Sequence, residues 1–325
     1  MKKQYFYLIA ALATATISVS SCINDEYDPM LVHLSVEGLG SDLTNRAATR
    51  ASEIDALQNT QFIDGLGIEV EAYPTGGTTT YTTATYTTTS TAGTTAGSIQ
   101  LSGTMYYHPT QNIDICAYYP STVVTTPTPT ATFTVNADQT TTNVANYRSS
   151  DLMYATKLTN KAKGTTHGLT FNHAMSQIIV TLQPGNGITA SDISTNVTAV
   201  TINNTIPTAD LTFGVDGSSV PTGVVTATAN GSVGDIAILG TLDSSSAYLS
   251  NIGIIVPQMV ANGTKLFTIT YNGTDYTYNL PADQTFAAGS KYTYNFTLNL
   301  AGLSLESVTI NDWTAGSTTP GIINL

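Results

Sequence analysis

From Tyr292 to Leu300 the side chains alternate without a break: Tyr292, Tyr294, Phe296, Leu298 and Leu300 are apolar, and Thr293, Asn295, Thr297 and Asn299 are polar. A period of two puts every apolar group on one face of an extended chain, which specifies a half-buried β-strand. The same signature recurs in Met30–Glu37, with Met30, Val32, Leu34 and Val36 in phase, and in Gly67–Pro74. Lys265–Tyr271 and Tyr276–Leu280 flank Asn272-Gly273-Thr274-Asp275, which carries hairpin turn chemistry. Ile178–Leu182 is a short apolar strand closed by Pro184-Gly185. Only residues 51–62 read as helical, with Ile54, Leu57 and Gln58 on one face. Many short strands, frequent Gly and Asn turns and almost no helix specify an all-β chain built of β-sandwiches.

Residues 75–95 hold thirteen threonines, with Tyr81 and Tyr86 among them. Such a run suits either a flexible tract or a Thr-rich hairpin, and β-branching favours the hairpin. Charged residues are only 10% of the chain, yet 41% of residues are hydrophobic, so a core can form. The net charge of −12 leaves a nucleic-acid partner without an electrostatic footprint.

The amino terminus reads as a processing signal. Lys2 and Lys3 precede an uncharged apolar stretch from Tyr5 to Ile17, too short to span a bilayer. Val19-Ser20-Ser21 then runs into Cys22. That is the layout of a bacterial lipoprotein signal over residues 1–21, in which the Cys22 thiol is acylated and becomes the new amino terminus. The plainer alternative is a secretory signal with a chance cysteine; the presence of only one other cysteine, Cys116, favours the lipoprotein reading. Cys116 has no intramolecular partner and sits in an apolar run, where a cysteine behaves as a small core residue. No later segment is apolar for long enough to cross a membrane, so the lipid (palmitate) is the expected link to the outer membrane.

A search for chemistry returns little. The four histidines, at 33, 108, 167 and 173, lack metal-ligand spacing, and one free thiol cannot build a thiolate zinc site. No nucleophile elbow, phosphate loop or dinucleotide fingerprint is present. His173 is the best single candidate for a base, but its apolar surroundings favour a structural histidine. No catalytic residue, metal site or cofactor is expected.

Phe171-Asn172-His173-Ala174-Met175, running on through Ser176 to Leu182, resembles the Phe-x-His signature of the fimbrillin family. Residues 286–295 (FAAGSKYTYN), followed by Val308-Thr309-Ile310-Asn311-Asp312-Trp313, are similar to that family's carboxy-terminal block. The chain's single tryptophan stands in the matching place. Asp151–Ala155 and Ala117–Pro120 resemble further, weaker family patterns, whereas 75–95 matches nothing.

The resemblance implies two tandem transthyretin-like β-sandwich domains. With a tether at 22–29, these are expected at 30–165 and 166–325, meeting near residues 160–170, where the lysine cluster Lys157–Lys163 ends in Gly164; the first includes the strand 30–36 and a cleavage loop at 44–51. It also implies a surface pilus subunit, stalk or tip, that serves adhesion. Such a subunit is exported as a lipoprotein, trimmed after an arginine (here Arg46 or Arg50) and polymerised by donor-strand exchange. The groove would then be the site of Met30, Val32, Leu34 and Val36, and the donor would include Ile322, Ile323 and Leu325. Its partners would be other pilus subunits, the outer membrane through lipid, and a host or bacterial surface ligand. Two rival readings are a pilus anchor that keeps its lipid and a stand-alone surface lipoprotein that binds glycan.

Overall fold

The computed structural model describes residues 30–39, 65–89, 99–122, 131–240, 249–313 and 321–323. The all-β architecture expected from the sequence is the architecture observed. The expected helix at 51–62 lies outside the described residues.

The first lobe is one sheet formed by β1 (His33–Leu39), β2 (Gly67–Pro74), β3 (Thr82–Thr89), β4 (Ile99–Ser102), β5 (Ile113–Tyr119), β7 (Met153–Ala155), β8 (Leu158–Lys161) and β9 (Thr166–His173). Its order runs β2-β3-β4-β1-β9-β7-β5, and β5 pairs back onto β2, so the sheet closes on itself. β8 joins the other end of β5. Inside lies a core that includes Val32, Leu34, Val70, Tyr86, Ile115 and Phe171. Six of the run's thirteen threonines thus lie in a strand, with β3 paired to β2 and β4, as β-branching favours. Residues 166–173, assigned from the sequence to the second domain, are hydrogen-bonded into this first sheet.

β6 (Thr132–Thr134) leaves the first lobe and pairs with β12 (Thr208–Val215), which forms a hairpin with β13 (Pro221–Ala229). Gln139 follows it into the second lobe, donating from Nε2 to the Ile254 carbonyl and accepting at Oε1 from the Ile254 N–H. The chain then returns through a short helix, α1 (Val144–Ser149), to β7.

The rest of the second lobe is two facing sheets. One has β10 (Ser176–Pro184) at its centre, between β15 (Leu249–Ile255) and β20 (Ser290–Asn299), continued by β21 (Gly302–Asp312) and β22 (Gly321–Ile323). The other is β14 (Gly234–Ala237), β11 (Val197–Thr205), β17 (Lys265–Tyr271) and β18 (Thr274–Asn279). β16 (Gln258–Val260) and β19 (Gln284–Phe286) form a small separate ribbon. Phe267 of β17 meets Tyr294 and Phe296 of β20 edge to face, at 4.8 and 5.8 Å between ring centroids. Contacts of this kind across the gap hold the layers together beyond their simple burial.

The β17–β18 turn has Asn272 and Gly273 at φ 49° and 74°, the two positive values that a two-residue hairpin turn needs. In β20 four of the five expected residues point inward. Leu300 falls past the strand's end and is 60% exposed. A second helix, α2 (Ala190–Asn196), is started by Thr189 and Asp192 acting as a reciprocal cap.

β5 is buried along its whole length. Ile113, Ile115, Ala117 and Tyr119 face the closed sheet's interior, while Cys116 and Tyr118 face the second lobe and join its core. The Tyr118 ring meets Phe213 of β12 at 5.5 Å, and Gly223 of β13 lets the backbone approach Cys116 closely. Burial pushes the Cys116 thiol up to about 12, in keeping with an inert core residue.

Candidate functional site

β1 sits in the middle of the closed sheet. It runs parallel to β9 over six register positions, His33↔Thr166 to Leu39↔Phe171, and antiparallel to β4 over three. The alternation in its sequence is realised: Val32, Leu34 and Val36 are at most 4% exposed and Met30 is half-buried against the same core. Burying each such side chain is worth roughly 1.5–3 kcal/mol. Just before the strand, the Val32 N–H donates to the Met105 carbonyl and the Tyr107 N–H to that of Met30, each at 2.8 Å. The Tyr86 hydroxyl reaches across the core and donates to the Val32 carbonyl at 2.8 Å. Tyr86, Leu101 and Met105 therefore line the seat of β1. The sequence reading did not pick them out, although Tyr86 stands in period-two phase within the threonine run.

The carboxy-terminal end is built differently. Among the described residues, β22 is an edge strand paired over three register positions, with Ile322 opposite Thr309 and Ile323 opposite Val308. Cys22, Arg46, Arg50 and Leu325 lie outside the described residues.

Between the lobes, His173 ends β9 and stacks flat on Trp313, with ring centroids 3.8 Å apart and planes 2° from parallel. Its Nδ1 donates to Asp151 Oδ1 at 2.9 Å. Trp313 is 1% exposed, and its backbone N–H donates to the Gly289 carbonyl at 2.6 Å. A cavity of about 290 Å³ adjoins this stack, walled also by Phe171, Val224 and Ala227. The two motif residues that carried the family resemblance thus touch: His173 joins the first sheet to the last residue before the carboxy-terminal segment. This is the structural role expected for His173. At the other end of β5, Asp114 accepts from Lys157 Nζ and the Asn160 N–H at 2.9 Å each. Burial opposes ionisation of Asp114, but these donors and the Gly76 N–H outweigh it and hold the carboxyl below its usual range.

Among the described residues no group of three or more His, Cys, Asp or Glu is arranged to hold a metal ion, and no helix is long and apolar enough to cross a membrane.

Three solved structures share this fold. A candidate cell adhesion protein from Bacteroides uniformis matches with a TM-score of 0.61 at 22% identity, covering 88% of this chain and 98% of that one. Two more candidate cell adhesion proteins, from Bacteroides ovatus and Bacteroides fragilis, match at TM-scores of 0.58 and 0.57 with 16% and 14% identity. Each covers 90% of this chain, and 99% and 100% of its counterpart respectively. No curated protein matches the chain. The family profile described as fimbrillin-like matches residues 49–313, a span that ends on the tryptophan stacked against His173, and the chain therefore belongs to the fimbrillin-like family.

Proposed function

We propose that the protein is a structural subunit of a surface fimbria that serves adhesion. In this reading it is exported as a lipoprotein through Cys22, trimmed after Arg46 or Arg50, and joined to its neighbours by donor-strand exchange. The observation that carries the reading is β1: a strand inside a closed sheet, with its apolar side chains in the core, lying just upstream of two of the chain's three arginines. A cut in 44–51 turns that strand into a separable peptide. Its departure opens the ring between β4 and β9, exposes the seat formed with Tyr86, Leu101 and Met105, and leaves two rows of backbone groups without partners. An opening of that kind is filled best by another extended segment, through main-chain ladders and alternate side chains. The segment containing Ile322, Ile323 and Leu325 is the donor in this scheme, because β22 is the weakly held edge. Two tandem domains of transthyretin-like topology are part of the same reading, with β9 counted in the first. No step in it calls for catalysis.

The test is proteolysis of purified protein beginning at Ile23 with an arginine-specific protease. SDS-resistant ladders are expected from the native sequence. They should vanish in the Arg46→Ala/Arg50→Ala double variant and in a chain ending at Trp313. Complete cutting that yields only monomers would overturn polymerisation and favour the anchor.

A further inference from the structure

We propose that the outward face of β3, together with Glu69 of β2, Ser102 of β4 and the rings of Tyr81, Tyr106 and His108, is a binding surface for a neutral carbohydrate chain. The inference deepens the adhesion part of the proposed function and rests on the protein being displayed at the cell surface; polymerisation is not required for it.

Two aromatic rings are held outward here instead of being buried. Tyr81 is 40% and Tyr106 51% exposed, in a chain where most large apolar side chains are internal. Both are fixed by their backbones: the Tyr81 N–H donates to the Ala72 carbonyl at 2.7 Å, and Tyr106 bridges to Leu31. Tyr81 packs edge to face against His108, with 4.9 Å between centroids. From Met105 to His108 exposure alternates, with Met105 and Tyr107 buried and Tyr106 and His108 outward. Tyr106 and His108 therefore lie on one side of the chain, with Tyr107 turned inward between them. The result is a row of rings, Tyr106, His108 and Tyr81, at one end of the lobe.

Hydroxyls adjoin that row. Thr83, Thr85 and Thr87 of β3 are exposed at alternate positions, and Ser102, opposite Thr87, is exposed beside them. Glu69 stands opposite Thr85 and accepts from its hydroxyl at 3.0 Å. Burial raises the Glu69 pKa, with the Thr85 hydroxyl acting the other way. A pyranose presents an apolar C–H face and an equatorial fringe of hydroxyls. Rigid tyrosine rings suit the first, and a fixed lattice of hydroxyls with a carboxylate acceptor suits the second.

Charge decides which saccharides fit. Residues 67–74, 82–89 and 99–108 contain two glutamates and no lysine or arginine, and the whole chain carries −12. A sulfated or sialylated chain would be repelled, whereas a neutral one would not.

The experiment is calorimetric titration of protein beginning at Ile23 with linear hexasaccharides of β-1,4-glucan, β-1,4-xylan and α-1,6-mannan, and with a heparin hexasaccharide. At least one neutral hexasaccharide should bind, and heparin should not. Tyr81→Ala and Tyr106→Ala should each weaken binding at least about tenfold, while Tyr81→Phe, which keeps the ring, should retain most of it. Failure of all three neutral chains, equal binding of heparin, or binding that survives both alanine variants would overturn the proposal. The same variants, cut with the arginine-specific protease, should still form ladders. Lost sugar binding with intact ladders separates this face from assembly. Intact binding with absent ladders would remove the polymerising role and leave the carbohydrate surface standing.

Discussion

The two ends of the chain contribute strands of opposite character. β1 is clamped on both edges, parallel to β9 and antiparallel to β4, inside a sheet that closes on itself. β22 hangs on the edge of an open sheet by three register positions. A closed sheet has no spare edge, so losing any strand of it exposes two rows of hydrogen-bonding groups at once. An open sheet that loses its last strand exposes one new edge in exchange for the old. The same length of polypeptide is therefore worth far more in one place than in the other.

The largest effect should come from removing β1. A chain beginning at Ala51 is expected not to form a stable monomer unless a peptide of residues 28–39 is supplied. Urea unfolding followed by circular dichroism is the check, and a folded monomer with an unchanged midpoint would break the contrast at its root. Next comes Trp313→Ala, which should cost about 3–5 kcal/mol because it empties a buried site and leaves the His173 face uncovered. Ending the chain after Trp313 keeps that stack and, of the described strands, removes β22 alone, so a loss of about 1 kcal/mol or less is expected in the same assay. A cost as large as that of losing β1 would show that the edge strand is integral after all.

The smallest effect concerns Glu71, whose side chain is buried beside β5 and accepts from the Tyr73 hydroxyl. Burial raises its pKa, the Tyr73 hydrogen bond works the other way, and the Glu69 carboxylate adds to the rise. Between the ordinary glutamate value and the raised one, the folded chain keeps a proton that the unfolded chain has released. That contribution to stability is therefore lost as pH rises through this window. Glu71→Gln should remove the loss. Its melting temperature relative to the native protein should climb as pH rises above the ordinary glutamate value; a constant difference would place the carboxylate in a wetter setting than the fold indicates.

What was legible in the sequence was whatever local pattern determines. Period-two phase located β20 and β1 and told which side chains of each point inward. Asn272-Gly273 located a hairpin through its two positive φ values. Thr189-Ala190-Ser191-Asp192 carried an equally local helix-start signal that the strand-dominated reading passed over. The partners of each strand were not legible. Nothing in residues 113–119 tells that β5 has a neighbour on both edges and a lobe on each face, since a two-sided burial pattern depends on chain far away in sequence. The division expected at 165/166 leaned on a lysine cluster and a glycine, and β9 continued past it because its pairing is with β1. At the proposed assembly site the side chains of β1 were legible, and their seat at Tyr86 and Met105 was not.

The excursion of β6 into the second lobe has a consequence for how the protein is made. Thr134 meets Thr208 across a gap of 74 residues, and the strands that close the first ring, β7 and β9, lie between them in the chain. In a polypeptide emerging amino-terminus first, the ring can close once β9 has appeared, while β6 is still without its partner strand. The first ring has to wait for β9, and β6 has to wait for β12. Contacts this distant slow folding and prolong the life of incomplete, sticky intermediates. The first ring should therefore close ahead of the joint between the lobes, which is completed only when β12 arrives to pair with β6.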